Sequence, residues 1–183
     1  DARPQIMIPQ VGSVEELNHI KNIYNEVKGE MEKKFKRKFK INFGTMLEVV
    51  RACITSDELA DTAEFFSFGT NDLTQGVYSF SREDVEGKFF GKYMDEGIME
   101  ISPFQSIDEN GVGNLMKIGI ERGRNEQKDL EIGICGEHGG DPNSIKFCHS
   151  VNVTYVSASP YRIPTAILAG AQAAIEQKKT KSK

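Results

Sequence analysis

The stretch Phe65-Phe66-Ser67-Phe68-Gly69-Thr70-Asn71-Asp72 decides the architecture. Three aromatic residues and a serine make a short apolar run of strand length, and Gly69 ends it. A polar Thr-Asn-Asp sequence follows at once, so the strand delivers hydrogen-bonding groups to its carboxyl end. Towards the N-terminus a second strand is predicted over 42–48, and Ile6-Met7-Ile8, stopped by Pro9, reads as a buried strand before it. Ser13 opens a helix between these two, with Glu16 at capping-box spacing. Leu17, Ile20, Tyr24, Val27 and Met31 then recur every three or four residues, a stripe that faces a core. A short helix is predicted from a Ser56 cap through Leu59 and Ala63. Towards the C-terminus a helical stretch holds Leu115, Ile118 and Ile120, and a fourth strand runs over 130–135. Tyr155-Val156-Ser157 makes a fifth strand, and an alanine-rich helix covers 165–177. Short apolar strands alternating with helices imply parallel strands with crossover helices. A barrel and an open doubly wound sheet both satisfy this order.

The chain has 183 residues, 38% hydrophobic and 27% charged, which suits a soluble globular protein and excludes a disordered one. No apolar run approaches the roughly 20 residues that span a bilayer, and no secretory leader pattern opens the chain. The start at Asp1, a few residues before a strand, has the character of a boundary within a larger protein, and 178–183 are expected to form a disordered tail. Cys53, Cys135 and Cys148 are widely spaced and form no C-x-x-C, which points to a reducing compartment, cytoplasmic with an organelle left open. A net charge of −4 gives no reason to expect nucleic acid as a partner. The run from Lys33 to Lys40 holds six positive charges in eight residues. It reads as a solvated helix end whose cations complement the macrodipole, with a phosphate- or membrane-binding patch as the other option.

Active sites of parallel α/β folds lie at the carboxyl ends of the strands. Three segments end there: Gly44-Thr45-Met46-Leu47-Glu48, Gly69-Thr70-Asn71-Asp72, and Cys135-Gly136-Glu137-His138-Gly139-Gly140. Glu48 and Asp72 sit one strand–helix unit apart, and neighbouring strands are about 4.8 Å apart. Two carboxylates across that gap suit a shared Mg²⁺, which prefers oxygen ligands; strand-end acids also cap helices or form ion pairs. Gly69 permits close backbone approach, and the amides of Thr70, Asn71 and Asp72 then face an anion. An ordinary strand-to-loop turn has the same composition. Cys135 is either a small apolar filler or a proton donor. Cys135 and His138 in one tight loop do not make a zinc site, and the loop fails the G-x-G-x-x-G spacing of a dinucleotide turn.

Taken together, the segment from Phe65 to Gln75, with Gly44-Thr45-Met46-Leu47-Glu48 and Ile6-Met7-Ile8-Pro9 before it, resembles the enzymes that use phosphoenolpyruvate through a phosphohistidine. Gly133-Ile134-Cys135-Gly136-Glu137-His138-Gly139-Gly140 is similar to the form of this loop in the pyruvate phosphate dikinases. The resemblance covers roughly 5–175. It implies a (β/α)₈ TIM-type barrel, of which this chain supplies strands four through eight as a fragment of a larger multidomain enzyme. It implies the reversible conversion of phosphoenolpyruvate, AMP and diphosphate to pyruvate, ATP and phosphate, the phosphoryl group passing through a phosphohistidine on a swivelling domain of the same enzyme. Glu48 and Asp72 would hold Mg²⁺ and substrate, Gly69, Thr70 and Asn71 would bind the substrate's oxygens, and Cys135 would protonate the enolate carbon. A homodimer is also implied, with the fragment alone inactive. The chain departs from the family pattern at Val49-Val50, where Ile-Pro is usual, and at Ala158, where a second cysteine is common. The first three barrel strands with their substrate-binding arginines, the phosphohistidine and the nucleotide-binding domain have no counterpart here. A phosphoenolpyruvate synthase is the alternative within the family. An alternative of another class is a non-catalytic dimerising or assembly fragment.

Overall fold

The computed structural model describes residues 2–181. Five strands form one sheet: β1 (Gln5–Ile8), β2 (Asn42–Leu47), β3 (Phe65–Gly69), β4 (Glu131–Cys135) and β5 (Tyr155–Val156). They are all parallel and lie in chain order, β1-β2-β3-β4-β5. A doubly wound sheet reverses its strand order at a switch point, and no reversal occurs here. The helices are α1 (Val14–Phe35), α2 (Val50–Ile54), α3 (Ser56–Ala60), α4 (Thr70–Tyr78), α5 (Arg82–Glu86), α6 (Phe90–Asp95), α7 (Val112–Glu126), α8 (Pro142–Ser150) and α9 (Ile163–Lys181).

Strand alternation divides the sheet into two unlike faces. Phe43 and Leu47, Phe66 and Phe68, and Ile132 and Ile134 point one way and pack with Leu17, Ala52, Leu59, Met116 and Phe147 in a single core. The helices that supply those partners therefore cover one face only. Met46 is paired with Ser67, Ser67 with Gly133, and Gly133 with Tyr155, so these line up across the other face. The run Phe65–Phe68, which reads as uniformly apolar, is thus used on both sides.

Helix α1 forms as its caps predict. Ser13 Oγ accepts from Glu16 N at 3.4 Å, and Glu16 Oε2 accepts from Ser13 N at 3.0 Å. Its apolar stripe is only half used: Leu17 is fully buried, but Val27 is 50% exposed. The helix stops at Phe35, and Lys36 takes a left-handed φ of 50°, so the basic run is a solvated helix end.

Ser56 is not a cap. Its hydroxyl is buried and donates to the Gly119 carbonyl at 2.9 Å, fastening α3 to α7. Residues 79–107 build an outlying lobe around Val85, Phe90 and Phe104, with Phe80, Phe89 and Met99 against them. The residues from 178 onwards, expected as a disordered tail, continue α9 through Lys181; the last two lie outside the described residues. No helix among the described residues is long and apolar enough to cross a membrane.

Candidate active site at the carboxyl rim

All six residues singled out in the sequence converge at the carboxyl ends of β2, β3 and β4. Glu48 follows β2 directly, Gly69 is the last residue of β3, and Thr70, Asn71 and Asp72 form the first turn of α4. Cys135 ends β4 and pairs in register with Gly69. Helix α4 starts straight off the strand with no side chain capping it, so its first amides are free to face a ligand.

Gly69 is required here by space. A Cβ on it would stand 2.2 Å from Glu48 Oε2 and 2.9 Å from Met46 Cε. The bare backbone of β3 is the floor on which the Glu48 carboxylate rests. Glu48 is 5% exposed, and burial raises its pKa, with the neighbouring Asp72 carboxylate adding to the rise and the Gln10 amide opposing it. Gln10 spans the acid pair: its N–H donates to Glu48 Oε1 at 2.7 Å and its Nε2 to Asp72 Oδ2 at 2.9 Å. The other Asp72 oxygen accepts from Gln75 Nε2 at 2.9 Å. Both carboxylates are thus oriented as acceptors by one residue, Gln10, which donates to each of them.

The Cys135 thiol donates to the Phe68 carbonyl at 3.6 Å. Burial pushes its pKa up, Glu48 and Asp72 add to this, and Ser67 pulls it partly back. Such a thiol stays protonated at neutral pH, which suits an acid and not a nucleophile. Ser67 Oγ is buried without a hydrogen-bond partner of normal geometry, yet lies near enough to act on both the Cys135 thiol and the Tyr155 phenol. Burial raises Tyr155 as well, and its ring lies over Gly133, where a Cβ would stand 2.1 Å from Cζ.

The loop after β4 turns on Gly136, whose φ of 111° disfavours any side chain. Thr70 Oγ1 lies 3.0 Å from the Cys135 carbonyl oxygen and 2.7 Å from His138 Nδ1. His138 makes no hydrogen bond to Cys135, consistent with setting aside a cysteine–histidine pair. Asn71 Oδ1 is buried and unpartnered beside a cavity of about 220 Å³ lined also by Gly136, Glu137, Gly140 and Arg162. A larger cavity of about 750 Å³ opens at the opposite, amino ends of the strands, around Arg3, Gln5, Lys40 and Glu131. The acid pair, thiol and free helix start mark the carboxyl rim as the chemical one. Gln10, Ser67, His138 and Tyr155 were missed in the sequence; only His138, inside a glycine-rich loop, gave any signal there.

No cluster of three or more His, Cys, Asp or Glu that could hold a metal occurs among the described residues. The rim offers two carboxylates, the set that Mg²⁺ takes when substrate oxygens and water complete its six ligands.

The chain matches the family model of the PEP-utilising enzyme, PEP-binding domain, over residues 1–175. It is 51% identical over 172 residues to the pyruvate, phosphate dikinase of Entamoeba histolytica, covering 93% of this chain and 19% of that protein. It is 48% identical over 178 residues to the enzyme of that name from Clostridium symbiosum, covering 97% and 20%. With the Rickettsia prowazekii protein of the same name the identity is 46% over 173 residues, covering 94% and 20%. The chain thus spans about a fifth of the length of the curated relatives it matches. With matching residues along nearly its whole length, the chain belongs to the PEP-utilising enzymes and carries their phosphoenolpyruvate-binding domain.

Proposed function

We propose that this chain is the phosphoenolpyruvate- and pyruvate-binding half-site of a pyruvate, phosphate dikinase, contributing strands four through eight of a (β/α)₈ barrel. Five parallel strands in chain order, with helices on one face, support that arc. The observation that carries the function is the convergence of Glu48, Asp72, Cys135 and the uncapped start of α4 on one rim.

In the direction of pyruvate formation, the P–O bond of phosphoenolpyruvate breaks as a P–N bond forms on the phosphohistidine domain of the same enzyme. Glu48 and Asp72 would hold Mg²⁺, which supplies Lewis-acid stabilisation of the enolate oxygen. The amides at Thr70 and Asn71 hold the substrate carboxylate, preorganised donors that need no rearrangement during reaction. Cys135 gives its S–H proton to the enolate methylene carbon, forming a C–H bond and the keto group. The resulting thiolate, eased by the nearby Ser67 hydroxyl, takes its proton back from solvent.

The exposed Ile163, Ile167 and Leu168 on α9 fit a chain that pairs in a homodimer. Three free cysteines fit a reducing compartment, the cytoplasm or an organelle. The test is turnover of ATP and pyruvate by the full-length protein carrying this chain. The reading expects phosphoenolpyruvate and diphosphate to form only when orthophosphate is supplied. Turnover with water in place of phosphate would instead assign a synthase.

A further inference from the structure

His138 is fully buried, and both ring nitrogens are engaged: Nδ1 at 2.7 Å from Thr70 Oγ1 and Nε2 at 2.8 Å from the Pro103 carbonyl. A carbonyl only accepts, so Nε2 carries the hydrogen. Burial holds the imidazole pKa below its usual value, and the neutral ring leaves Nδ1 as an acceptor. Thr70 has one hydroxyl proton and two acceptors facing it, Nδ1 and the Cys135 carbonyl at 3.0 Å. The hydroxyl is therefore held between the Cys135 carbonyl, to which it donates, and the ring nitrogen at 2.7 Å, and the ring bears on its direction. Around this point, Ser106 Oγ donates to Asp141 Oδ2 at 2.8 Å and Ile107 N to Ser144 Oγ at 2.9 Å. The end of the outlying lobe is therefore clamped to the loop and helix after β4.

We propose that His138 is a positioning residue: its Nδ1 contact with Thr70 ties the Cys135 loop to the first turn of α4, with Thr70, Asn71 and Asp72, and so fixes the thiol against the substrate-binding amides. This rests on the functional reading above, but its central claim concerns geometry. Asparagine places an amide oxygen near Nδ1 and keeps the acceptor for Thr70, whereas glutamine places an amide N–H near Nε2 and keeps only the donor to Pro103. His138→Asn and His138→Gln therefore cut one link each.

The test compares both variants with the parent in the full-length protein. Three quantities are read: thermal unfolding, exchange of pyruvate methyl protons with deuterated solvent, and the rate of Cys135 alkylation by iodoacetamide. Positioning through Thr70 predicts near-parental exchange and alkylation for His138→Asn. For His138→Gln it predicts an exchange rate lower by about 10²-fold, the cost of misplacing reacting groups by about 1 Å, and alkylation changed at least several-fold. If both variants lose stability yet behave alike in alkylation, His138 is a packed core residue and the proposal is overturned. If the parent shows neither exchange nor turnover while the alkylation difference stands, the functional reading fails and the positioning role survives.

Discussion

Replacing Gly69 with alanine tests whether the Glu48 carboxylate is held where the chemistry needs it. The added methyl would sit 2.2 Å from Glu48 Oε2, 2.8 Å from Glu48 Cβ and 2.9 Å from Met46 Cε. Moving from 2.2 Å to the 3.4 Å of ordinary contact demands a retreat of about 1.2 Å. The strands are locked in register by β2–β3 pairing, so the carboxylate and Met46 must yield instead of the backbone. Overpacking of this kind costs about 1–3 kcal/mol of folding stability. A displacement of that size in a reacting constellation costs on the order of 10² in rate. The assays are thermal unfolding, Mn²⁺ titration followed by water-proton relaxation, and steady-state turnover, all on the full-length protein. The expected result is a folded variant with weakened metal affinity and kcat lowered about 10²-fold. A Gly69→Ala protein with parental metal affinity and kcat would refute both the placement of Glu48 over Gly69 and its role as a ligand.

Glu48→Gln should separate stability from activity. The folded state binds the Glu48 proton more tightly than the unfolded chain does, so its contribution is present below the ordinary value of 4.5 and lost as pH rises through the raised folded value. The amide variant is therefore expected to melt higher than the parent at pH 7 and equal to it near pH 3, while losing metal binding; a lower melting point at pH 7 would contradict the burial argument. Gly136→Ala places a side chain at a φ of 111° and 2.9 Å from Thr70 Oγ1, and denaturant unfolding should show a loss of about 1–3 kcal/mol. Cys135 should be alkylated slowly at neutral pH and faster past its ordinary value of 9.0, because burial raises it; a rate already level at pH 7 would mark a thiolate and remove it as the acid. Cys135→Ala should keep phosphoenolpyruvate binding and lower pyruvate formation by about 10²-fold or more.

The strands and the order of the elements were legible because each strand is short, apolar and punctuated by Gly, Pro or a polar cluster. The choice between barrel and doubly wound sheet was not, since both give the same alternation along the chain. What bears on it is the strand order, which runs without reversal, and the one-sided core, and both are long-range properties: Phe66 and Phe68 share a core with Met116, some fifty residues away. Ser56 misled for a related reason. A serine before a helical segment satisfies the local capping rule, and only the approach of α7 gives its hydroxyl a better partner. The half-exposed stripe of α1 likewise depends on what packs against each turn, which periodicity does not encode.

The site divides along the same line. Glu48, Gly69, Thr70, Asn71, Asp72 and Cys135 were legible as strand-end residues because strand ends are marked in the sequence, but the role proposed for Cys135 came from the family resemblance, since its position alone also suits a core filler. The supporting residues lie on neighbouring segments and act across them. Gln10 holds both acids from the turn after β1, Ser67 and Tyr155 flank Gly133 in one row of the sheet, and His138 reaches Pro103 in the outlying lobe. Apart from His138, marked by its glycine-rich loop, none of these has a local signature, because a glutamine on a turn or a serine in a strand is unremarkable until its neighbour is known. The glycines are the exception that joins the two levels. Gly69 and Gly133 look like breaks in otherwise good strands, yet each is a gap filled by another strand's side chain, Glu48 in one case and Tyr155 in the other. Gly44 on β2 leaves the same kind of gap but for the Phe65 ring, so a strand glycine points to a close neighbour on the adjacent segment, and only its place near the carboxyl rim makes that neighbour a candidate for chemistry.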